Sequence, residues 1–268
     1  MKEMIEGIKI RCNVWPFEVL RTPRLTLSFR RRAVVSRAEI DLPDPDGSIR
    51  AGLAVGQAVR VRFGHRGDGG TWQEWSGTVK EIEQAGPDVV RVTALGLEKA
   101  LLDTTVTLAM HGESSRAVAS RLLSSTGLAV AGLDIPAATL PHIVFSGCTV
   151  ARAIKQLAVT LERSCGHDLS RHAVWLGTSG LYWSDGAEPG DVYVIQSADN
   201  LLTHSPDPSG MSHVWATLLP GLTASRMVRI RDARRGFSAL VMAQSVYHEL
   251  GSGGNKTMIG YGKDEGWG

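Results

Sequence analysis

The feature that most constrains this chain is its long runs of alternating apolar and polar residues, cut by short turn signals. Residues 71–95 read TWQEWSGTVKEIEQAGPDVVRVTAL and residues 212–249 read SHVWATLLPGLTASRMVRIRDARRGFSALVMAQSVYHE. A period of two places successive side chains on opposite faces, so these runs predict half-exposed antiparallel strands. In QAVRVRF (57–63), Val59, Val61 and Phe63 share one face and Arg60 and Arg62 the other; Val228 and Ile230 oppose Arg229 and Arg231 in the same way. The first 97 residues read as about six strands, at 7–14, 18–30, 33–40, 57–63, 71–84 and 88–95. DLPDPDGS (41–48) is a dense turn signal, 64–70 a loop tip, and the last two strands form a hairpin around Ala85–Asp88.

The pattern changes near Leu97. Residues 113–126 and the segment from Val150 read as helices: Ser114 or Ser115 and Thr149 suit the N-caps, and Gly127 suits the position after the first helix. Val150, Ile154, Leu157 and Leu161 form one apolar stripe, with Arg152, Lys155 and Glu162 off it. Residues 173–183 read as a hairpin turning at Thr178–Gly180. From Asp191 the strand pattern returns, after which 199–212 reads as a long polar loop and 237–250 as one strand-rich run. The predicted class is therefore α+β, mainly β, in three segments: 1–97, 98–190 and 191–268.

Composition is that of a globular chain: 43% hydrophobic, 21% charged, net charge +2. This balance excludes wholesale disorder and gives no strong electrostatic signal for nucleic acid. Thirty glycines fit many tight turns. No apolar run approaches the roughly 20 residues that span a bilayer, and the polar N-terminus lacks a secretory core; no membrane insertion is expected. Cys12, Cys148 and Cys165 are far apart without a CxxC pair and read as free thiols.

Each candidate for chemistry reads more simply as structure. His111, His142, His167, His172, His204 and His213 have no HxxxH or HxH spacing, so no metal site is expected. Cys165 beside His167-Asp168 lacks any nucleophile signature, and there is no GxSxG, P-loop or GxGxxG after a strand. Asp41, Asp44, Asp46 and Gly47 have the wrong spacing for an EF-hand. Arg66-Gly67-Asp68 and the Asn255-Lys256-Thr257 sequon are chance matches. Two arginine clusters (Arg21, Arg24, Arg30, Arg31, Arg32, Arg37 and Arg226, Arg229, Arg231, Arg234, Arg235) read as solvated or interface-facing strand sides, because no aromatic stacking platform interleaves them. Trp72 and Trp75 are an odd number apart, so one is expected in the core and the other toward a partner. No catalytic, cofactor-binding or metal residue is assigned, and no cofactor is expected.

The order of motifs resembles a known family. Trp75, Gly77, Val79 and Ile82 form W-x-G-x-V-x-x-I, followed by A-L-G-x-E-x-x-L (Ala94–Leu101), S-x-T-G-L (Ser124–Leu128) and T-V-x-x-A-I-x-x-L-A (Thr149–Ala158). Then come S-A-D-N-L-L (Ser197–Leu202), L-P-G-L (Leu219–Leu222) and V-Y-H-E-L…G-x-x-x-T (Val246–Thr257). Together these resemble the baseplate hub proteins of contractile and Mu-like phage tails, related to the hub part of type VI secretion spike proteins. The resemblance implies two tail-tube-like antiparallel β-barrels, at 1–97 and 191–268, joined by an α+β insert at 98–190. It implies a homotrimer that adapts a sixfold tail tube to a threefold spike and lines the DNA exit channel without specific DNA binding. The implied partners are a tail tube or distal tail protein, a central spike, other baseplate proteins and a tape-measure protein, and the implied location is the virion tail, assembled in the host cytoplasm. Competing readings are the hub of a DNA-free injection machine, a tail-associated cell-wall hydrolase relying on Cys165 or His167, and a nucleic-acid-binding module using the arginines.

Overall fold

The computed structural model describes residues 7–19, 22, 24–65 and 71–263. They form two compact units: residues 7–30, 36–97 and 191–263 in one, 31–35 and 98–190 in the other. The class is α+β, mainly β, with 53% strand and 16% helix.

The first unit begins with β1 (Ile8–Val14), β2 (Phe17–Val19), β3 (Arg24–Arg30), β4 (Arg37–Pro43), the short helix α1 (Ser48–Gly52), β5 (Ala58–His65), β6 (Trp72–Gly86) and β7 (Val89–Gly96). Alternation puts Val14, Leu25, Leu27, Ile40, Val61, Phe63 and Val92 inside, each 0% exposed, as one apolar core. Burying aliphatic side chains of this size stabilises by about 1.5–3 kcal/mol each before chain entropy opposes it.

The second unit contains α2 (Ala100–Asp103), β8 (Thr105–Ser114), α3 (Ser115–Ser124), β9 (Val130–Leu133), β10 (Thr139–Thr149), α4 (Val150–Cys165), β11 (Ala173–Gly177) and β12 (Gly180–Ser184). The Ser114 hydroxyl accepts from Ala117 N–H and the Thr149 hydroxyl from Arg152 N–H, so both helices are capped by the expected residues. Gly166 closes α4 in the left-handed region, φ 72°. The α4 stripe of Val150, Ala153, Ile154, Leu157 and Leu161 is buried.

The chain then returns to the first unit as β13 (Tyr193–Gln196), β14 (Leu201–Ser205), β15 (Met211–Thr217), β16 (Met227–Asp232), β17 (Phe237–Met242), β18 (Ser245–Gly251) and β19 (Lys256–Gly262). These strands enclose a second core of Ile195, Val214, Val228, Ile230, Val246 and Ile259. One 11-stranded sheet carries both lobes, in the order β14-β15-β19-β18-β3-β4-β7-β6-β5-β1-β2. The lobes meet where β18 pairs antiparallel with β3, from Ser245↔Arg30 to Gly251↔Arg24. A three-stranded sheet, β13-β16-β17, covers the second core.

Several elements differ from the sequence reading. The strand expected at 33–40 is β4 at 37–43, because Asp41 is held inside the strand by a two-bond pair with Arg91 (2.7 and 2.9 Å). The turn expected at 41–48 shortens accordingly and runs into α1. The polar loop at 199–212 contains β14. The 237–250 run breaks at Ala243-Gln244, whose N–H groups donate to Arg226 O and Gly260 O and so pass the chain from one sheet to the other. The insert also holds β8, β9 and β10, where no strand was expected. The span 18–30 is two strands, and 66–70 lies outside the described residues.

Candidate functional site

The two lobes are fastened by groups from two of the motifs noted above, together with Gln73 of β6. The carbonyl of Leu222 can only accept, so His248 Nε2 donates to it (2.9 Å) and Nδ1 accepts from Thr257 Oγ1 (3.0 Å). Thr257 Oγ1 in turn accepts from Leu219 N–H (3.0 Å). Across the joint, Gly221 N–H donates to Gln73 Oε1 of β6 (2.9 Å). The His248 ring, 0% exposed, meets Phe29 and Phe63 edge-on at 6.0 and 5.3 Å. Burial pushes its pKa down to about 4, outweighing the hydrogen bond to Leu222, so the ring is neutral at physiological pH. Gly221 is required here: its φ is +83° and an added Cβ would lie 2.6 Å from the Tyr193 hydroxyl.

Inside the second lobe, Tyr261 O–H donates to His204 Nε2 (2.6 Å), and His204 Nδ1–H donates to Asp232 (2.9 Å). All three are at most 6% exposed. The polarity matches that of a hydrolase triad, but the terminal hydroxyl is moved the wrong way: burial raises the Tyr261 pKa, making ionisation harder. Burial also acts to raise the Asp232 pKa, but hydrogen bonds from His204 and the N–H groups of Arg235 and Arg234 hold it below the usual carboxylate range. A polar cleft of about 540 Å³, walled by Ser197, Thr203, His204, Asp232, Arg234 and Arg235, opens beside this chain.

The outer faces of the lobes differ. On the first lobe, Arg37 pairs with Glu39 (2.8 Å), Arg60 with Glu74 (2.9 Å) and Arg91 with Asp41. On the second, Val194, Arg229 and Leu240 stand in one row across β13, β16 and β17. Val194 is 41% and Leu240 48% exposed, with Val192 and Leu202 also uncovered. Arg229 and Arg231 form no ion pair among the described residues. Exposed aliphatics around unpaired arginines match the composition of protein interfaces. The free sheet edges, β2 and β14, offer unpaired backbone groups as well.

The residues singled out from sequence have definite places. Trp75 is buried, its indole N–H on Ser36 Oγ (2.9 Å), while Trp72 is half-buried with the Arg62 guanidinium 4.8 Å over its ring; they do face opposite ways. Arg31 departs from the expected solvated side. It is 1% exposed, lies 4.4 Å over the Trp175 ring and donates to Ser184 O (2.8 Å), with burial lowering its pKa to about 10. Arg21 lies outside the described residues, as does Arg66-Gly67-Asp68. Asp44 accepts from the N–H groups of Ile49 and Arg50, and Asp46 from Ser48, so these carboxylates organise α1. Asp168, beside His167, is occupied by Ser170 N–H. Cys12 and Cys148 are buried and Cys165 half-buried, all as thiols, and burial raises Cys12 to about 12. Thr257 of the sequon is fully buried. Among the described residues no group of three or more His, Cys, Asp or Glu could hold a metal, and no helix is long and apolar enough to cross a membrane. The joint and the buried His204 chain were missed, because their members lie 9 to 148 residues apart.

No family model matches this chain, and no curated protein matches it. Solved structures do. The tail protein from Neisseria meningitidis MC58 superposes with TM-score 0.67 at 14% identity, over 96% of this chain and 97% of that one. The 43 kDa tail protein of prophage MuSo2 from Shewanella oneidensis gives TM-score 0.67 at 11% identity over the same shares. An E. coli component of the type VI secretion system, described as structurally similar to the T4 bacteriophage tail proteins gp27 and gp5, gives 0.60 at 10% identity over 97% of this chain and 77% of its own. The chain thus has the fold of phage tail proteins.

Proposed function

We infer that this protein is a structural part of a phage tail: a homotrimeric baseplate hub, without catalytic activity, joining a sixfold tube to a threefold spike. The observation that carries this reading is the shared fold over 96% of the chain with two tail proteins. Two similar lobes in one continuous sheet give the reading its geometry, since three copies present six lobes. The segments 1–97 and 191–268 serve as the tube-like domains and 98–190 as the insert. The uncovered face of the second lobe receives a neighbouring copy, whose carboxylates neutralise Arg229 and Arg231. The ring lines the DNA exit channel without binding DNA specifically, and contacts a tail tube or distal tail protein, the central spike, other baseplate proteins and the tape measure. Its place is the virion tail, after assembly in the host cytoplasm. The likeness to a type VI component favours a second reading, the hub of a DNA-free injection machine. Sedimentation velocity tests the trimer: a species of about 86 kDa, three chains of 28.8 kDa, is expected. A monomer or dimer at all concentrations contradicts it.

A further inference from the structure

The insert carries a pair of imidazoles that the functional reading does not use. His111 of β8 and His142 of β10 stand directly opposite each other in the antiparallel register. Both are exposed, and their rings stack with centroids 4.3 Å apart and planes 20° apart. His111 Nδ1 bonds the carbonyl oxygen of Pro141. A carbonyl can only accept, so Nδ1 carries the proton and Nε2 is left with its lone pair free. That is how metal-ligating histidines are prepared: the far nitrogen donates to a backbone carbonyl, which fixes the tautomer and orients the ring. Cβ atoms of directly opposed residues lie about 4.5–5.5 Å apart, close enough for two imidazoles to share one ion, whose bonds to ring nitrogen are about 2.0–2.1 Å.

We propose that His111 and His142 chelate a divalent transition metal ion, Zn²⁺, Ni²⁺ or Cu²⁺, across the β8–β10 strand pair, with water in the remaining positions. Imidazole nitrogen suits these ions and discriminates against Mg²⁺ and Ca²⁺, which take oxygen. The paired strands hold the second imidazole beside the first, so the pair binds far more tightly than a lone ring. Bound metal would pin the two strands, stabilising the insert through the free energy of binding.

The test is calorimetric titration of the untagged full chain with NiCl₂ and with ZnCl₂, alongside His111→Ala and His142→Ala, with melting temperature as a second readout. One saturable ion per chain is expected, weakened roughly a hundredfold by either substitution. The melting temperature should rise with metal in the parent and stay fixed in both variants. Each variant should keep its metal-free circular dichroism spectrum, because both side chains are exposed. The double substitution His111→Gln/His142→Gln, which keeps polar side chains on the surface, should also abolish binding. Absence of saturable binding, or binding that survives either single substitution, overturns the proposal.

Discussion

The two lobes of the strand-rich unit solve one problem in different ways. The first is held by an apolar core and clothes its outer face with its own ion pairs, Arg37–Glu39, Arg60–Glu74 and Arg91–Asp41. The second buries ionisable groups, His204, Asp232 and Tyr261, and shares His248 with the joint, while leaving Val192, Val194, Leu202 and Leu240 uncovered. The first lobe also leaves apolar side chains uncovered, Trp15 (71%) and Val55 (68%), both in turns. The difference lies in placement: Val194 and Leu240 flank the unpaired Arg229 on one sheet face of the second lobe, a composition that matches protein interfaces, whereas Trp15 and Val55 of the first lobe lie in turns.

The largest expected effect comes from the joint. His248→Ala removes a fully buried ring and strands the Thr257 hydroxyl and Leu222 carbonyl, costing about 3–5 kcal/mol in urea denaturation. Acid should act next and in the same place. The folded state keeps His248 neutral down to about pH 4, whereas the unfolded chain protonates it near 6.5. Its contribution is therefore complete above pH 6.5 and lost as pH falls toward 4, roughly 3 kcal/mol in all. Stability measured across that window should slope upward with pH, and His248→Phe should flatten the slope. Third, Leu240→Asp should leave the stability of the single chain within about 0.5 kcal/mol yet weaken trimer formation at least tenfold, or about 1.4 kcal/mol, by sedimentation. Tyr261→Phe leaves His204 Nε2 without its donor and should cost about 1–2 kcal/mol. Least of all, Glu74→Gln breaks a half-exposed pair on the first lobe. About 0.2–1 kcal/mol is expected, with no effect on assembly; a larger loss of assembly there would erase the difference between the lobes.

Where alternation was strict and one face solvated, as in β5, β6 and β16, the strands were legible from the chain. Both capped helices were legible for local reasons too, since Ser114, Thr149 and the apolar stripe act within one or two turns. Strand β4 was misplaced because a buried Asp41 reads as a turn residue until Arg91, 50 residues away, supplies its partner. Strand β14 was hidden because LLTHS alternates too briefly and carries a histidine whose burial depends on Asp232 and Tyr261. The break in 237–250 has no Gly or Pro to mark it, as the chain only changes which sheet it joins. The joint was half-visible: L-P-G-L and V-Y-H-E-L…T were noted as separate motifs, and the fold shows them hydrogen-bonded to each other.

Electron-microscope class averages of the purified protein, computed without imposed symmetry, test the central claim most directly. A threefold ring with six peripheral lobes around an open centre is predicted. A twofold particle, or a solid one without a channel, would contradict it.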